Sequence, residues 1–524
     1  MSAIHEHIAA LRPTIEEILK ISGTAGASIG CIQDGEFYDA HFGFMDHEQT
    51  KTAIADTLYS IGSLSKSMLA LLFGSLVDDN IVSWNETVQS TIPEFQTQSK
   101  DLGDNCTVLD LLSMRSGLPT FHILWYQGNS DPLINRSDLF SMVNGMTPSF
   151  TLRTDWRYTN WGHAIAGALV ERKTGVEFHQ QLQKTFFQPL GMTRTRLDPQ
   201  WGEDGNAAQG FIGRNNSSLI PIKTQVMDYN TIMAPGGGVC STIKDLLVYY
   251  NAILSAFKDE IDGKRPENPI FKQIGTIFKG HAPMGQQRIE TSTQYALGWV
   301  KGFLPGCPGV QSPNTGLLRN VPLIGKGTRP QVFFAHTGSV AGSLSTVVLL
   351  PETRIAVVVL VNTKPACDSS DFIANMILER LLGGCGGHDF AELTREAMDK
   401  ASRRYSEQSA ELESSRVPNT SPKPLNEYCG RYSWKSKSFR VNVFVEDGKL
   451  KFKVIGRSDQ IYVLEHYHYY TFTWLMTDDE EAERARYVQA TGAYKFVFQT
   501  NAIDRVTGFK WVEMGGGPGL FQKV

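Results

Sequence analysis

Hydrophobic positions near the N-terminus recur with a helical period. Ile4, Ile8, Leu11, Ile15, Ile18 and Leu19 mark one face of an amphipathic helix, with Pro13 as a predicted interruption. The period then changes. Residues 26–45, GASIGCIQDGEFYDAHFGFM, read as two strands joined at Asp34-Gly35, a strong hairpin signal. A helix predicted from Ser63 carries Met68, Leu69, Leu71, Leu72, Leu76 and Val77 on nearly every face, the pattern of a central buried helix. From about 107 to 260 the pattern is mainly helical, broken by Gly/Pro loops. Strands return in VFFAH, SLSTVVLLP and RIAVVVLVN, the last two joined by Pro351 to Arg354, and a helix follows near 371–382. Strands at both ends and helices between predict an α/β (α+β) domain whose mostly antiparallel sheet is assembled from distant parts of the chain.

Beyond Gly383 the pattern shifts again. GGCGGH is a breaker, the run to about 415 is a charged helix, and VPNTSPKPLN is a linker. Short alternating segments after it, such as RVNVFVEDGKLKFKVIG with a turn at Asp447-Gly448, predict a small antiparallel β-barrel. The expected organisation is a catalytic domain over 1–385, helix and linker over 386–424, and a barrel over 425–524.

Composition narrows the partners. With 41% hydrophobic residues, a net charge of −4 and a pI of about 6.3, the chain lacks a basic footprint for nucleic acid or anionic membrane. No apolar run reaches membrane-spanning length and no secretory signal is read at the N-terminus, so a cytoplasmic protein is expected. Seven scattered cysteines, none in a C-x-x-C pair, predict reduced structural thiols. A homodimer is left open.

S-x-x-K occurs three times, at Ser63/Lys66, Ser241/Lys244 and Ser255/Lys258, so the tetrapeptide alone decides nothing. Ser241 reads as a helix cap and Ser255 as a solvated position in an amphipathic run. Only Ser63 opens a helix that is apolar all round. There, burial would lower the Lys66 pKa and make it a base for the serine, and the helix start would stabilise an oxyanion. The plainer reading, Ser63 as a cap with Lys66 reaching to solvent, stands beside it.

Two later stretches bear on the choice: Tyr158 and Asn160 in WRYTNWGHAIAGALVE, and His336, Thr337 and Gly338 in FFAHTGSVAGSLS. S-x-x-K, Y-x-N and H-T-G in this order resemble the serine β-lactamase and penicillin-binding-protein superfamily, in its class C β-lactamase-type form. The H-T-G variant is most similar to its D-aminopeptidase and esterase branch, and the terminal barrel resembles lipocalin-like modules. The resemblance implies a β-lactamase/transpeptidase-like domain with a helical subdomain. It implies Ser63 as nucleophile, Lys66 and Tyr158 sharing proton transfer, and Asn160 binding the substrate amide and holding Lys66. It also implies a substrate and oxyanion site at His336, Thr337, Gly338 and Ser339, with the N–H groups of Ser63 and Ser339 as the oxyanion donors. Read only as residues, Tyr158 also fits a core tyrosine, Asn160 a turn residue and His336 a structural histidine. Trp125 and Tyr126 are candidate pocket walls.

A lysine in place of His336 would suit a substrate carboxylate. Histidine, largely neutral at pH 7, favours uncharged amides, esters or thioesters, or an amine facing acidic groups. No metal or cofactor is expected; His466 and His468 read as barrel surface. The expected activity is a serine hydrolase acting through an acyl-Ser63 intermediate on a small amide or ester. Acyl transfer, or thioester release in natural-product assembly, is the alternative, and a non-catalytic binding protein retaining the fold is the rival of another class.

Overall fold

The computed structural model describes residues 3–121, 128, 132–198, 202–264, 269–285, 292–383, 387–486, 488–512 and 519–524. Helix α1 (Ala3–Ser22) leads into the hairpin β1 (Gly26–Gln33) and β2 (Glu36–Gly43). Asp34 and Gly35 both take positive φ, 51° and 86°, as a tight two-residue hairpin turn requires. Pro13 does not interrupt α1, contrary to expectation. It lies on the exposed face beside exposed Ala9, whose carbonyl it leaves for water, while the opposite apolar face holds the helix down.

The next long helices are α2 (Ser65–Asp78), α3 (Trp161–Thr174) and α4 (Ile243–Ile261). After them come β3 (Ala282–Pro283), β4 (Gln294–Tyr295), β5 (Val300–Leu304), β6 (Gln331–Val340), β7 (Ser343–Leu350) and β8 (Ile355–Val361). Helices α5 (Ser369–Leu382), α6 (Phe390–Ser402) and α7 (Arg404–Ser414) follow. The eight strands form one sheet in the order β2-β1-β8-β7-β6-β5-β4-β3. Every pairing in it is antiparallel, and β1 from the start of the chain lies directly against β8, with Ile29 opposite Val359.

Alternation on the strands builds two cores. Ala27, Ile29, Cys31, Val357, Val359 and Val361 pack with α1, α5 and α6, whereas Val358 and Leu360 face α4 and the helical subdomain. Because β8 is covered on both faces, its sequence IAVVVLV is apolar without interruption. The cap of α4 is Thr242, whose hydroxyl accepts the Asp245 N–H at 3.1 Å, and not Ser241. Ser241 lies in a two-residue strand and bonds the Thr195 hydroxyl.

The C-terminal strands are β9 (Gly430–Ser433), β10 (Arg440–Glu446), β11 (Lys449–Val454), β12 (Ile461–His468), β13 (Thr471–Thr473), β14 (Lys495–Thr500), β15 (Val506–Trp511) and β16 (Gly519–Lys523). They close into an up-and-down barrel through β9 and β16. Aromatic side chains fill its interior: Phe452, Tyr462, Trp474, Phe496, Phe509 and Trp511 stack on one another at centroid distances of 4.4 to 6.3 Å. Eight strands leave room for just such a filling. A buried pair, Arg486 to Glu481 at 3.0 Å, sits beside this core with Arg486 against the Trp474 ring.

The barrel seats on the helical subdomain. Phe121 packs edge-on against Trp434, the Ser438 hydroxyl donates to Asp138 at 2.8 Å, and Gln460 donates to the Gly128 carbonyl at 3.2 Å. The six described cysteines are free. Among the described residues no helix is long and apolar enough to cross a membrane.

Candidate active site

The site forms where β6 meets the first turn before α2. Gly62–Leu64 make a single 3-10 turn, so Ser63 precedes the α-helix proper by two residues. Gly62 takes φ 51°, and a Cβ there would stand 2.9 Å from the Ser339 nitrogen. Only glycine lets this turn lie so close to the strand. Gly338 answers from the other side, since its Cβ would fall 2.2 Å from the Ile61 carbonyl oxygen. The Ser65 hydroxyl fastens the turn by donating to Gly62 O (2.6 Å) and accepting the Val239 N–H (3.1 Å).

Lys66 lies one helical turn further on and is wholly buried. Its Nζ donates to Ser63 Oγ at 2.9 Å and to the Gly236 carbonyl at 2.5 Å. Burial holds its pKa well below that of an ordinary lysine. The other two S-x-x-K lysines differ in kind. Lys244 is exposed and paired with Asp56 at 3.3 Å, and Lys258 is exposed and paired with Asp262 at 3.1 Å.

Tyr158 comes from the segment leading into α3. Its hydroxyl donates to Ser63 Oγ at 2.7 Å, and Lys66 Nζ stands 5.1 Å from its ring centre. Although half-buried with one edge open to the cavity, its hydroxyl is enclosed; desolvation raises the phenol pKa, and the bond to Ser63 offsets this only in part. The segment is fixed by Thr120 Oγ1 donating to Tyr158 O (2.9 Å) and Thr159 Oγ1 to Pro119 O (3.0 Å). Asn160 Oδ1 and Lys66 Nζ converge on Gly236, lying 3.5 and 3.7 Å from where its Cβ would be.

His336, Thr337, Gly338 and Ser339 follow one another near the end of β6. Thr337 and Ser339 are the two partly open positions and line the cavity. His336 is buried. Its Nδ1 is 2.7 Å from the Thr337 carbonyl and its Nε2 is 3.2 Å from the Tyr295 hydroxyl. Both ring nitrogens are thus engaged within the protein, while the ring itself lines the cavity. Burial and the nearby Lys66 amine push its pKa down to about 3, so it is neutral throughout the physiological range.

The cavity measures about 440 Å³ and is lined by Ser63, Tyr158, Asn160, His336, Thr337 and Ser339 together with Trp156, Met284, Gly285, Val310 and Gln311. Larger cavities of about 610 and 760 Å³ lie elsewhere, beside Asp46 and beside α4, and neither contains Ser63. None of the described lining residues is a carboxylate. Trp156, Met284, Val310, Gln311 and Gly236 were not foreseen, because pocket walls are defined by tertiary placement and not by a local pattern. Trp125 and Tyr126 lie outside the described residues. Among those described, no cluster of three or more His, Cys, Asp or Glu side chains is arranged to hold a metal ion.

Comparison with known proteins decides the family. The beta-lactamase family model matches residues 11–396. This chain belongs to the beta-lactamase family. As a beta-lactamase family member it has the mixed fold of the β-lactamase/transpeptidase superfamily. A second model, a domain of unknown function (DUF3471), matches residues 414–521. The beta-lactamase of Escherichia coli is 22% identical over 67% of this chain and 87% of its own length. An unguisins hydrolase of Aspergillus campestris is 26% identical over 64% of the chain, and penicillin-binding protein 4* of Bacillus subtilis 23% identical over 56%. The matches span 58% and 63% of the lengths of those two relatives. The octameric penicillin-binding protein homologue from Pyrococcus abyssi shares the fold over 98% of this chain and 100% of its own, with a TM-score of 0.59 at 19% identity.

Proposed function

We propose that this family member is a hydrolase that forms an acyl-Ser63 intermediate on a small, uncharged ester or amide. The observation that carries the reading is the position of Ser63 Oγ, 2.9 Å from Lys66 Nζ and 2.7 Å from the Tyr158 hydroxyl. A lysine kept neutral by burial can take the serine proton as Oγ attacks the acyl carbon. A phenol whose pKa is raised keeps its own proton and can deliver it to the leaving oxygen or nitrogen, recovering it from Lys66. The N–H groups of Ser63 and Ser339, brought close by Gly62 and Gly338, are the proposed oxyanion donors. Water then attacks the acyl-enzyme by the reverse path.

The absence of a carboxylate from the described lining favours substrates without a free amine near the reacting bond, so esterase and blocked-amide hydrolysis lead over aminopeptidase-like action. The name of the Aspergillus campestris relative, an unguisins hydrolase, supports hydrolysis as the reaction class. A panel of neutral aryl esters, D-aminoacyl amides, acyl thioesters and a chromogenic β-lactam tests this. Neutral esters or amides are expected to give the highest kcat/KM; a lactam turned over far faster than the rest would overturn the reading. Product analysis with an added alcohol separates hydrolysis from acyl transfer.

A further inference from the structure

We propose that Tyr295 is a specificity-determining residue, which acts by locking the His336 ring with both nitrogens committed inside the protein, so that this ring offers no donor to a substrate carboxylate. The proposal deepens the functional reading above and rests on it. Tyr295 lies on β4, two strands away from β6 in the sheet, and its hydroxyl reaches the His336 ring. A carbonyl oxygen can only accept, so the 2.7 Å contact between Nδ1 and Thr337 O places a hydrogen on Nδ1. In the neutral ring Nε2 is then an acceptor, and the Tyr295 hydroxyl, 3.2 Å away, is its donor.

Tyr295 is fully buried, and desolvation keeps its phenol protonated. It is held by Trp156, whose ring centre is 5.6 Å away, and meets the His336 ring edge-on at 6.1 Å. Among the described residues the titratable groups around His336 are Lys66, Tyr158, Tyr295 and His163, and burial among them disfavours an imidazolium. Protonating Nε2 would turn an N–H toward a hydroxyl that already points its own hydrogen there. A carboxylate arriving at the His336 ring finds no N–H free to receive it. An uncharged acyl or leaving group loses nothing there, which selects neutral substrates.

Two measurements test the proposal on the full chain. In protein labelled with ¹⁵N-histidine, long-range proton–nitrogen spectra are expected to show His336 with Nδ1 protonated and Nε2 bare from pH 5 to 8. An Nε2–H tautomer, or an imidazolium near pH 6, would overturn it. Tyr295→Phe is then compared with wild type on two matched ester pairs, one differing by a carboxylate on the acyl side (p-nitrophenyl hexanoate and the mono-p-nitrophenyl ester of adipic acid) and one on the leaving-group side (methyl 4-acetoxybenzoate and 4-acetoxybenzoate). Loss of the lock is expected to narrow the preference for the neutral ester about tenfold in at least one pair, through KM of the acid. An unchanged ratio in both pairs would refute the role of Tyr295. Should the variant not fold, the wild-type spectra still decide the lock. Should no ester react at all, the proposed function fails while the spectra continue to report on Tyr295.

Discussion

Lys66 separates this serine from the two others that share its motif. A buried amine with no carboxylate partner among the described residues is costly to protonate, and that cost is what makes it a base. The sign of the effect on stability follows. Its folded pKa lies below the unfolded value of 10.5, so wild type carries a penalty that is complete below the folded pKa and vanishes as pH rises toward 10.5. Lys66→Met is expected to abolish turnover and to gain stability relative to wild type. That gain should shrink by about 1.4 kcal/mol per pH unit within the window between the two pKa values. Urea unfolding of both proteins at pH 7, 8 and 9 checks it, and a difference independent of pH would contradict it. In the wild type, kcat/KM is expected to fall on the acid side as Lys66 takes a proton and can no longer receive that of Ser63. At this scale Ser63, Lys66 and Tyr158 were readable because their order and spacing are set along the chain. Tyr295 was not, since its role depends on which strand lies two places away in the sheet.

At the scale of elements, two glycines allow a turn and a strand to come within contact distance. At Gly338 a Cβ would fall 2.2 Å from both Ile61 O and Ser345 Oγ. Gly338→Ala is therefore expected to push β6 away from the Ser63 turn and to cost about 10²-fold in kcat, as a displacement near 1 Å does. Ser345→Ala in the same chain should not restore activity, because the Ile61 carbonyl remains in the way. Full activity in Gly338→Ala, read with the best neutral ester, would remove the close approach from the account. The hairpin at Asp34-Gly35 and the strands of β7 and β8 followed from local pattern. Two local readings gave way to tertiary context: α1 continues through Pro13 because its apolar face is packed, and Thr242, not Ser241, caps α4 because Ser241 is drawn into a strand.

Across the whole molecule, the antiparallel sheet built from both ends of the catalytic region and the closed terminal barrel were foreshadowed by alternation and turn signals. The filled interior of the barrel was not, because alternation says which side chains point inward and not whether they meet. Packing of Trp511 against Phe452, Trp474 and Phe496 leaves little room for a ligand of lipocalin type. Trp511→Ala is accordingly expected to cost about 3–5 kcal/mol of unfolding free energy. A loss below about 1 kcal/mol in urea titration would mean that the interior is loosely packed. Contacts of Phe121 with Trp434 and of Gly128 with Gln460 tie this barrel to the segment that follows Pro119, whose carbonyl and neighbouring Thr120 hold the Tyr158 strand of chain.

All three scales converge on the oxygen of Ser63, and labelling with a fluorophosphonate probe reads it directly. Wild type is expected to take one adduct, mapped by peptide mass spectrometry to Ser63, at a rate that falls as the pH is lowered. Ser63→Ala should take none. Equal labelling of wild type and Ser63→Ala, or an adduct mapped to Ser241 or Ser255, would contradict the account.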